Sequence, residues 1–419
     1  MTGLVGIDFG TTNSVVSILE PDGTLSTRRF AVNGAELETF RTLLCFWAEE
    51  DRKGASLHHA AGPFAIESYL DDPLSSRLIM SMKTYLAQRS FSQTQIFGRP
   101  FTLEALVALF LKALLGEDHA GFKVVAGRPV RFAGDLAEDD FGEARLRRSF
   151  AAAGFPEIEV ALEPEAAGYR FAQTLDGPAT VLIGDFGGGT SDFSVMRFDP
   201  AGSPRVTPLG YAGVGIAGDM FDFRIIDHVV SPLLGKNDVY TAMGKQLPVP
   251  PDYFSGFARW HKLSLMRAPR ILRDIAAVAA TSSHPERLQT LISLIEHEVG
   301  YQLYRAVSTV KAELSHAETA TLRFAHEDFI VEQPILRSDF EDWIAPDLQR
   351  LEAAVSEALN RAGLPAIDRV FLTGGTSFVP AVRRLFEDRF GAGKVSGGGE
   401  FVSVAEGLAL IGRDRKLQP

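Results

Sequence analysis

Cysteine is nearly absent from this chain of 419 residues: Cys45 is the single one. No internal disulfide can form, which suits a reducing compartment. Cys45 lies in the apolar run Leu43-Leu44-Cys45-Phe46-Trp47 and reads as a small buried hydrophobe rather than a nucleophile. Basic charge is also scarce. Forty-two Lys and Arg stand against 53 Asp and Glu, a net charge of −11, so non-specific attraction to nucleic acid or to anionic lipid is not expected. No apolar run approaches the length of a membrane span. The segment after Met1 lacks both a basic region and a long apolar stretch, so no signal peptide is expected and the expected compartment is cytoplasmic.

Several catalytic signatures are missing too. There is no G-x-x-x-x-G-K-[ST] pattern, which excludes a P-loop site. The nine histidines form no H-E-x-x-H pattern. His58-His59 reads as a solvated pair, and Glu138-Asp139-Asp140 as the solvated N-terminal face of a helix.

What the chain does have is a repeated unit. Leu4 to Asp8 is a short apolar run ending in an acid, followed by Gly10-Thr11-Thr12-Asn13-Ser14, the apolar run Val15 to Leu19, and the turn Pro21-Asp22-Gly23. Far downstream, Val181 to Ile183 leads into Gly184-Asp185-Phe186-Gly187-Gly188-Gly189-Thr190-Ser191-Asp192, then Phe193 to Phe198 and Asp199-Pro200-Ala201-Gly202. Asp8-Phe9-Gly10 and Asp185-Phe186-Gly187 match residue for residue. The pattern predicts two related strand–turn–strand units, an internal duplication. A third glycine turn, Thr373-Gly374-Gly375-Thr376-Ser377, follows Val370-Phe371-Leu372 and precedes a helix opened by Pro380.

Helical spacing is read over Leu103 to Leu115, Ala137 to Ala153, Leu288 to His316 as one long segment, Ala345 to Ala362, and Val404 to Ile411. Residues Leu234 to Asp252 and Gly393 to Glu400 read as loops. Strands, glycine turns and helices alternate, so the class is α/β. The length favours two lobes or more.

The two acid-glycine-threonine turns suit phosphate chemistry. Glycine permits a tight turn and a close approach. Successive amides and threonine hydroxyls suit phosphate oxygens, and an acid before the turn suits a hydrated magnesium ion. A single such turn is more often only a hairpin; two matched turns and a third glycine pair favour a site.

At this point the motifs become familiar. Val5-Gly6-Ile7-Asp8-Phe9-Gly10-Thr11-Thr12-Asn13-Ser14 resembles the first phosphate motif of the seventy-kilodalton heat-shock (DnaK-type) chaperones, and Asp185 to Asp192 their second. Glu163-Pro164-Glu165-Ala166-Ala167-Gly168 resembles the segment joining the lobes. Gly215 to Asp222 is similar to the nucleoside-side glycine motif, and Leu372 to Pro380 to the adenosine motif. Gly127-Arg128-Pro129-Val130 and Asp71-Asp72-Pro73 bring the chain nearest the short, YegD-type members.

The resemblance implies an actin-like ATPase fold with two duplicated ribonuclease H-like lobes and a nucleotide cleft between them. It implies lobe I at 1–174, with an insert at about 41–98 and the C-terminal helix 400–419 returning to it. Lobe II would be 175–399, with an insert at about 226–327, and no peptide-binding domain follows. It implies ATP/ADP and Mg2+ as cofactors. Asp8, Asp185 and Asp192 would act on the metal through water, with Glu163 and Thr190 placing water or the γ-phosphate. Gly10, Thr11, Thr12, Asn13, Gly187, Gly188 and Gly189 would hold phosphates. Gly218, Asp219, Lys311, Ser315, Gly374, Gly375 and Thr376 would hold the nucleoside. The function so implied is an ATP-binding, chaperone-like switch with slow hydrolysis, an unidentified protein partner or client, and no nucleic-acid or membrane partner. The alternatives are a pseudo-ATPase scaffold, a small-metabolite kinase of the superfamily, or a filament-forming relative.

The chain also departs from the family. The catalytic lysine of the family aligns with Ile66, and Lys83 matches a different position and is not an evident replacement. On the adenine side Ser308, Ala312, Phe378 and Phe401 stand where charged residues are expected, with Glu400 beside the last. Phe378 reads as either a base-stacking ring or core.

Overall fold

The computed structural model describes residues 3–32, 34–51, 54–72, 75–116, 122–133, 136–199, 202, 206–259, 263, 266–297, 299–363, 366–397 and 402–415. Pro73, Glu400 and Phe401, and with them the expectations placed on them, lie outside the described residues. The chain forms two compact units, residues 1–218 with 348–419, and residues 219–347.

The first unit is built on two sheets. In one, Leu4–Phe9 pairs antiparallel with Asn13–Leu19, which pairs antiparallel with Leu25–Thr27. On its other side Leu4–Phe9 runs parallel to Lys123–Arg128, and that strand parallel to Ile158–Leu162. In the other, Ala179–Phe186 pairs antiparallel with Ser191–Phe198, which pairs antiparallel with Val206–Val214. On its other side Ala179–Phe186 runs parallel to Arg369–Thr373, and that strand parallel to Val395–Gly397. Order and direction are the same in both, so the duplication read in the two Asp-Phe-Gly segments extends to five strands each.

Both central hairpins are apolar on both faces. The consecutive residues Val15 and Val16, and Val181, Leu182 and Ile183, are all buried, the pattern of strands covered on both sides. The helix Leu103–Leu115 covers the first sheet through Leu106, Phe110 and Leu114, with the Phe110 ring between Phe9 and Phe40. It is capped by Thr102, whose hydroxyl accepts from the Ala105 amide. Cys45 is buried in the strand Leu43–Asp51, and burial pushes its thiol up. The C-terminal helix Ser403–Asp414 lies on the first sheet, its backbone at Ala405 and Ala409 crowding Gly6, and Val404, Leu408 and Ile411 share a core with Val125, Ala166 and Ala167; Glu406 binds Arg170 at 2.5 Å.

Four expectations need correction. The helical run Leu288 to His316 is two helices, Pro285–Glu296 and Gly300–Leu314. The apolar spacing continues through the break, so periodicity alone hides it. The stretch Leu234 to Asp252 is not only loop: Val239–Ala242 and Lys245–Pro248 form a small hairpin. Gly393 to Glu400 supplies the sheet strand Val395–Gly397, too short and glycine-flanked to give a period-two signal. The helix expected from Ala345 begins earlier, at Arg337, and carries Pro346 within it.

The second unit, 219–347, holds the helices Pro269–Ala279, Pro285–Glu296 and Gly300–Leu314 and the hairpin Thr319–His326 with Phe329–Leu336. No helix among the described residues is long and apolar enough to cross a membrane.

Candidate functional site

Both acid-bearing strands of the first unit end in the same way. Asp8 is the penultimate residue of its strand and faces Val15; Asp185 is the penultimate residue of its own and faces Asp192. The turn after each is forced by its glycines. A Cβ on Gly10 would run into the Asn13 carbonyl oxygen. In the second turn the Gly187 amide donates to the Thr190 carbonyl at 2.9 Å. The two turns face each other: a Cβ on Gly189 would lie 3.4 Å from Thr11 Oγ1 and 3.6 Å from Thr11 Cγ2.

The third glycine turn joins the second. Thr373 lies beside Asp185 in the sheet. Gly374 has φ 86° and presses on the Phe186 carbonyl, so only glycine fits there. Thr376 Oγ1 is 3.5 Å from the Gly187 carbonyl oxygen, and Gly375 and Thr376 open the short turn Gly375–Phe378.

Between the hairpins sits a charged cluster that sequence reading only half anticipated. Glu163 opens the helix Glu163–Ala172 and is buried, packed against Gly127. Its Oε1 accepts a 2.6 Å hydrogen bond from Lys83 Nζ, and both side chains are under a tenth exposed. The reading that set Lys83 aside is therefore corrected: this amine reaches the carboxylates. Burial works against the ammonium, but Glu163, Asp8 and Asp192 outweigh it and hold Lys83 above its ordinary value. Ile66 is partly buried in the helix Pro63–Asp71. Nothing local marks Lys83; it stands 80 residues from Glu163 and follows Ser81, a non-glycine residue at φ 50°. That backbone outlier turns the chain into the short helix Met82–Tyr85.

The carboxylates are mutually repulsive. Burial first, then Glu163, raises Asp8 to about 7, with Lys83 opposing. The same causes raise Asp192 to about 7, opposed by the Arg131 amide, Lys83 and Thr190. Asp185 is pushed well above the usual range by burial and by Glu163, Asp8 and Asp192. Asp192 Oδ1 accepts from the Val130 and Arg131 amides at 2.9 and 3.3 Å, which ties the second hairpin to the segment after Arg128. So dense a set of buried carboxylates needs protons or cations to offset its mutual repulsion. The donor set is all hard oxygen, the chemistry of a hydrated magnesium site. The Thr12 hydroxyl is buried without a hydrogen-bond partner among the described residues, in the turn where a phosphate oxygen would accept from it.

The expected nucleoside residues divide. Gly218 closes the first unit, while Asp219, Lys311 and Ser315 belong to the second. There Lys311 Nζ is 2.8 Å from the buried Asp222 Oδ1, an ion pair rather than a solvated charge. Ser315 caps its helix, its hydroxyl donating to the Lys311 carbonyl. Phe378 is 44% exposed, which removes the core-packing reading. Asn13 Oδ1 accepts from Arg41 at 3.2 Å. Glu138 pairs with Arg89 at 2.6 Å instead of being merely solvated, and Asp139 accepts from the Phe132 amide.

Two facing acid-glycine-threonine turns thus accompany a buried Lys–carboxylate cluster. The family model described as Hsp70 protein matches residues 292–413. The Chaperone protein DnaK of Deinococcus radiodurans is 24% identical over 416 residues, which cover 93% of this chain and 56% of that protein. Those of Deinococcus deserti and Deinococcus proteolyticus are 24% and 23% identical over the same shares. The chain is thus similar to Hsp70 proteins, through the family model at residues 292–413 and through these relatives over most of its length. It spans a little over half the length of these relatives.

Proposed function

We propose that the chain is a chaperone-like nucleotide-binding protein of actin-like fold, holding ATP or ADP with Mg2+ between its two central hairpins. The observation that carries this reading is the facing of the two turns, with a Cβ on Gly189 falling 3.4 Å from Thr11 Oγ1, together with the Asp8–Glu163–Asp185–Asp192 cluster. The two sheets of like topology are then the cores of two ribonuclease H-like lobes, with 1–174 and 175–399 as their extents. The amides and hydroxyls of Gly10, Thr11, Thr12 and Asn13 hold phosphate from one side, and those of Gly187, Gly188, Gly189 and Thr190 from the other. Gly374, Gly375 and Thr376 line the nucleoside end. Asp8, Asp185 and Asp192 would hold the ion through its waters. Bound there, Mg2+ supplies charge neutralisation of the phosphates.

Glu163, kept in place by Lys83, orients the attacking water, and Thr190 fixes its neighbour Asp192. Lys83 brings positive charge to a site that Ile66 does not provide for, so slow hydrolysis to ADP and phosphate belongs to this reading. Closure of the lobes on the nucleotide would change a surface read by a protein partner. Titration calorimetry with Mg-ATP tests it. The parent should bind, and Asp8→Ala should bind at least about tenfold more weakly, the loss of one charge-assisted contact. Equal binding by both contradicts the reading.

A further inference from the structure

A second cluster of ligand-type side chains lies in the unit 219–347 and shares no residue with the site described above. His297 follows the helix Pro285–Glu296, at the break before Gly300. His326 ends the strand Thr319–His326, and Glu327 begins the two-residue turn to Phe329. One nitrogen of each imidazole and one carboxylate oxygen lie within 4.8 Å of one another, and the rings are 5.2 Å apart and tilted by 51°.

Three observations suggest a ligand rather than packing. The Nε2 of His326 is buried with no hydrogen-bond partner among the described residues. Such a group costs about 1–3 kcal/mol. The Nδ1 of His297 is 3.0 Å from the Ser293 carbonyl oxygen, which can only accept, so that nitrogen carries the proton and Nε2 holds the lone pair. Ser293 Oγ is also 3.1 Å from His297 Nδ1 and donates to Glu327 Oε2 at 3.4 Å. One serine thus orients two of the three ligand groups, the arrangement of outer partners around a metal-binding histidine. Glu327 meanwhile sits at φ 49°, a left-handed conformation that disfavours non-glycine residues by ~1–2 kcal/mol.

We propose that His297, His326 and Glu327 bind a divalent transition-metal ion, with zinc the ion that two imidazoles and one carboxylate suit, leaving a fourth position for water. Ligands on a tetrahedral zinc ion stand ~3.4 Å apart at ~2.1 Å bonds, so a small rotation of the exposed Glu327 closes the set. The ion would clamp the hairpin turn to the end of the helix carrying Ser293.

The test uses the full chain, stripped by chelator and titrated with zinc chloride in excess Mg2+, which occupies the all-oxygen cluster. Cobalt(II) absorption reports coordination in parallel. The parent should take up zinc at one site with tetrahedral cobalt bands. His326→Ala and Glu327→Gln should weaken binding at least about tenfold, and Ser293→Ala by about tenfold without removing a ligand. If His326→Ala unfolds by circular dichroism, Glu327→Gln on its exposed turn carries the test alone. Parent-like affinity in Glu327→Gln, or no zinc uptake by the parent, overturns the proposal.

Discussion

Lys83 is about as buried as the hydrophobic residues around it, and its ammonium is held by Glu163 at 2.6 Å. Removing one member of a buried pair leaves the other charge uncompensated, a loss of about 3–5 kcal/mol. Lys83→Met should therefore destabilise the chain by that order in urea unfolding. The double variant Lys83→Met with Glu163→Gln should recover most of the loss, because neither charge remains. A double variant no more stable than Lys83→Met would mean that the pair is not the coupled unit described here. In turnover assays Lys83→Met should lower the rate of ATP hydrolysis by about a hundred to a thousand-fold, as for other lost charges at a developing anion, with smaller effect on Mg-ATP affinity. Loss of affinity without loss of rate would argue against that role.

At the scale of elements, the glycine turns are the parts under tightest steric control. Gly374 combines φ 86° with contact against the Phe186 carbonyl. Gly374→Ala should cost more than about 1 kcal/mol in stability and weaken nucleotide binding by displacing the end of the Asp185 strand. A variant with parent-like unfolding and affinity would show that the turn tolerates a side chain. This was also the level at which the sequence was most readable. The repeated Asp-Phe-Gly units define the two hairpins because turn chemistry is local. The helix Leu103–Leu115 follows from its apolar face and its Thr102 cap. The break at His297 was hidden, since apolar spacing runs on from Leu294 to Val299 and Leu303. The meeting of Lys83 with Glu163 was illegible for a different reason. It depends on packing between segments 80 residues apart, and a lone lysine in Met82-Lys83-Thr84 carries no pattern. The facing of the two turns was inferred from their likeness, and the position of Thr11 in the space that a Gly189 side chain would enter is its structural counterpart.

For the molecule as a whole, the carboxylate cluster links stability to protons and to Mg2+. Asp8 and Asp192 have folded values near 7, above an ordinary 3.8. Between those values the folded chain binds more protons than the unfolded one. Without Mg2+, stability from this cluster is full below about pH 4 and is lost as pH rises through 7. Mg2+ bound as proposed would replace those protons, so its stabilising effect should be larger at pH 8 than at pH 5.5. Thermal unfolding at both values, with and without Mg2+, checks this. An equal Mg2+ effect at both would disconnect the cluster from the metal.

The most direct measurement is a crystal structure of the chain with Mg2+ and a non-hydrolysable ATP analogue. The account predicts phosphate density between residues 10–13 and 187–190, with Asp8 and Asp185 on waters of the ion. Density for the analogue elsewhere, with those two turns in contact and nothing between them, would contradict it.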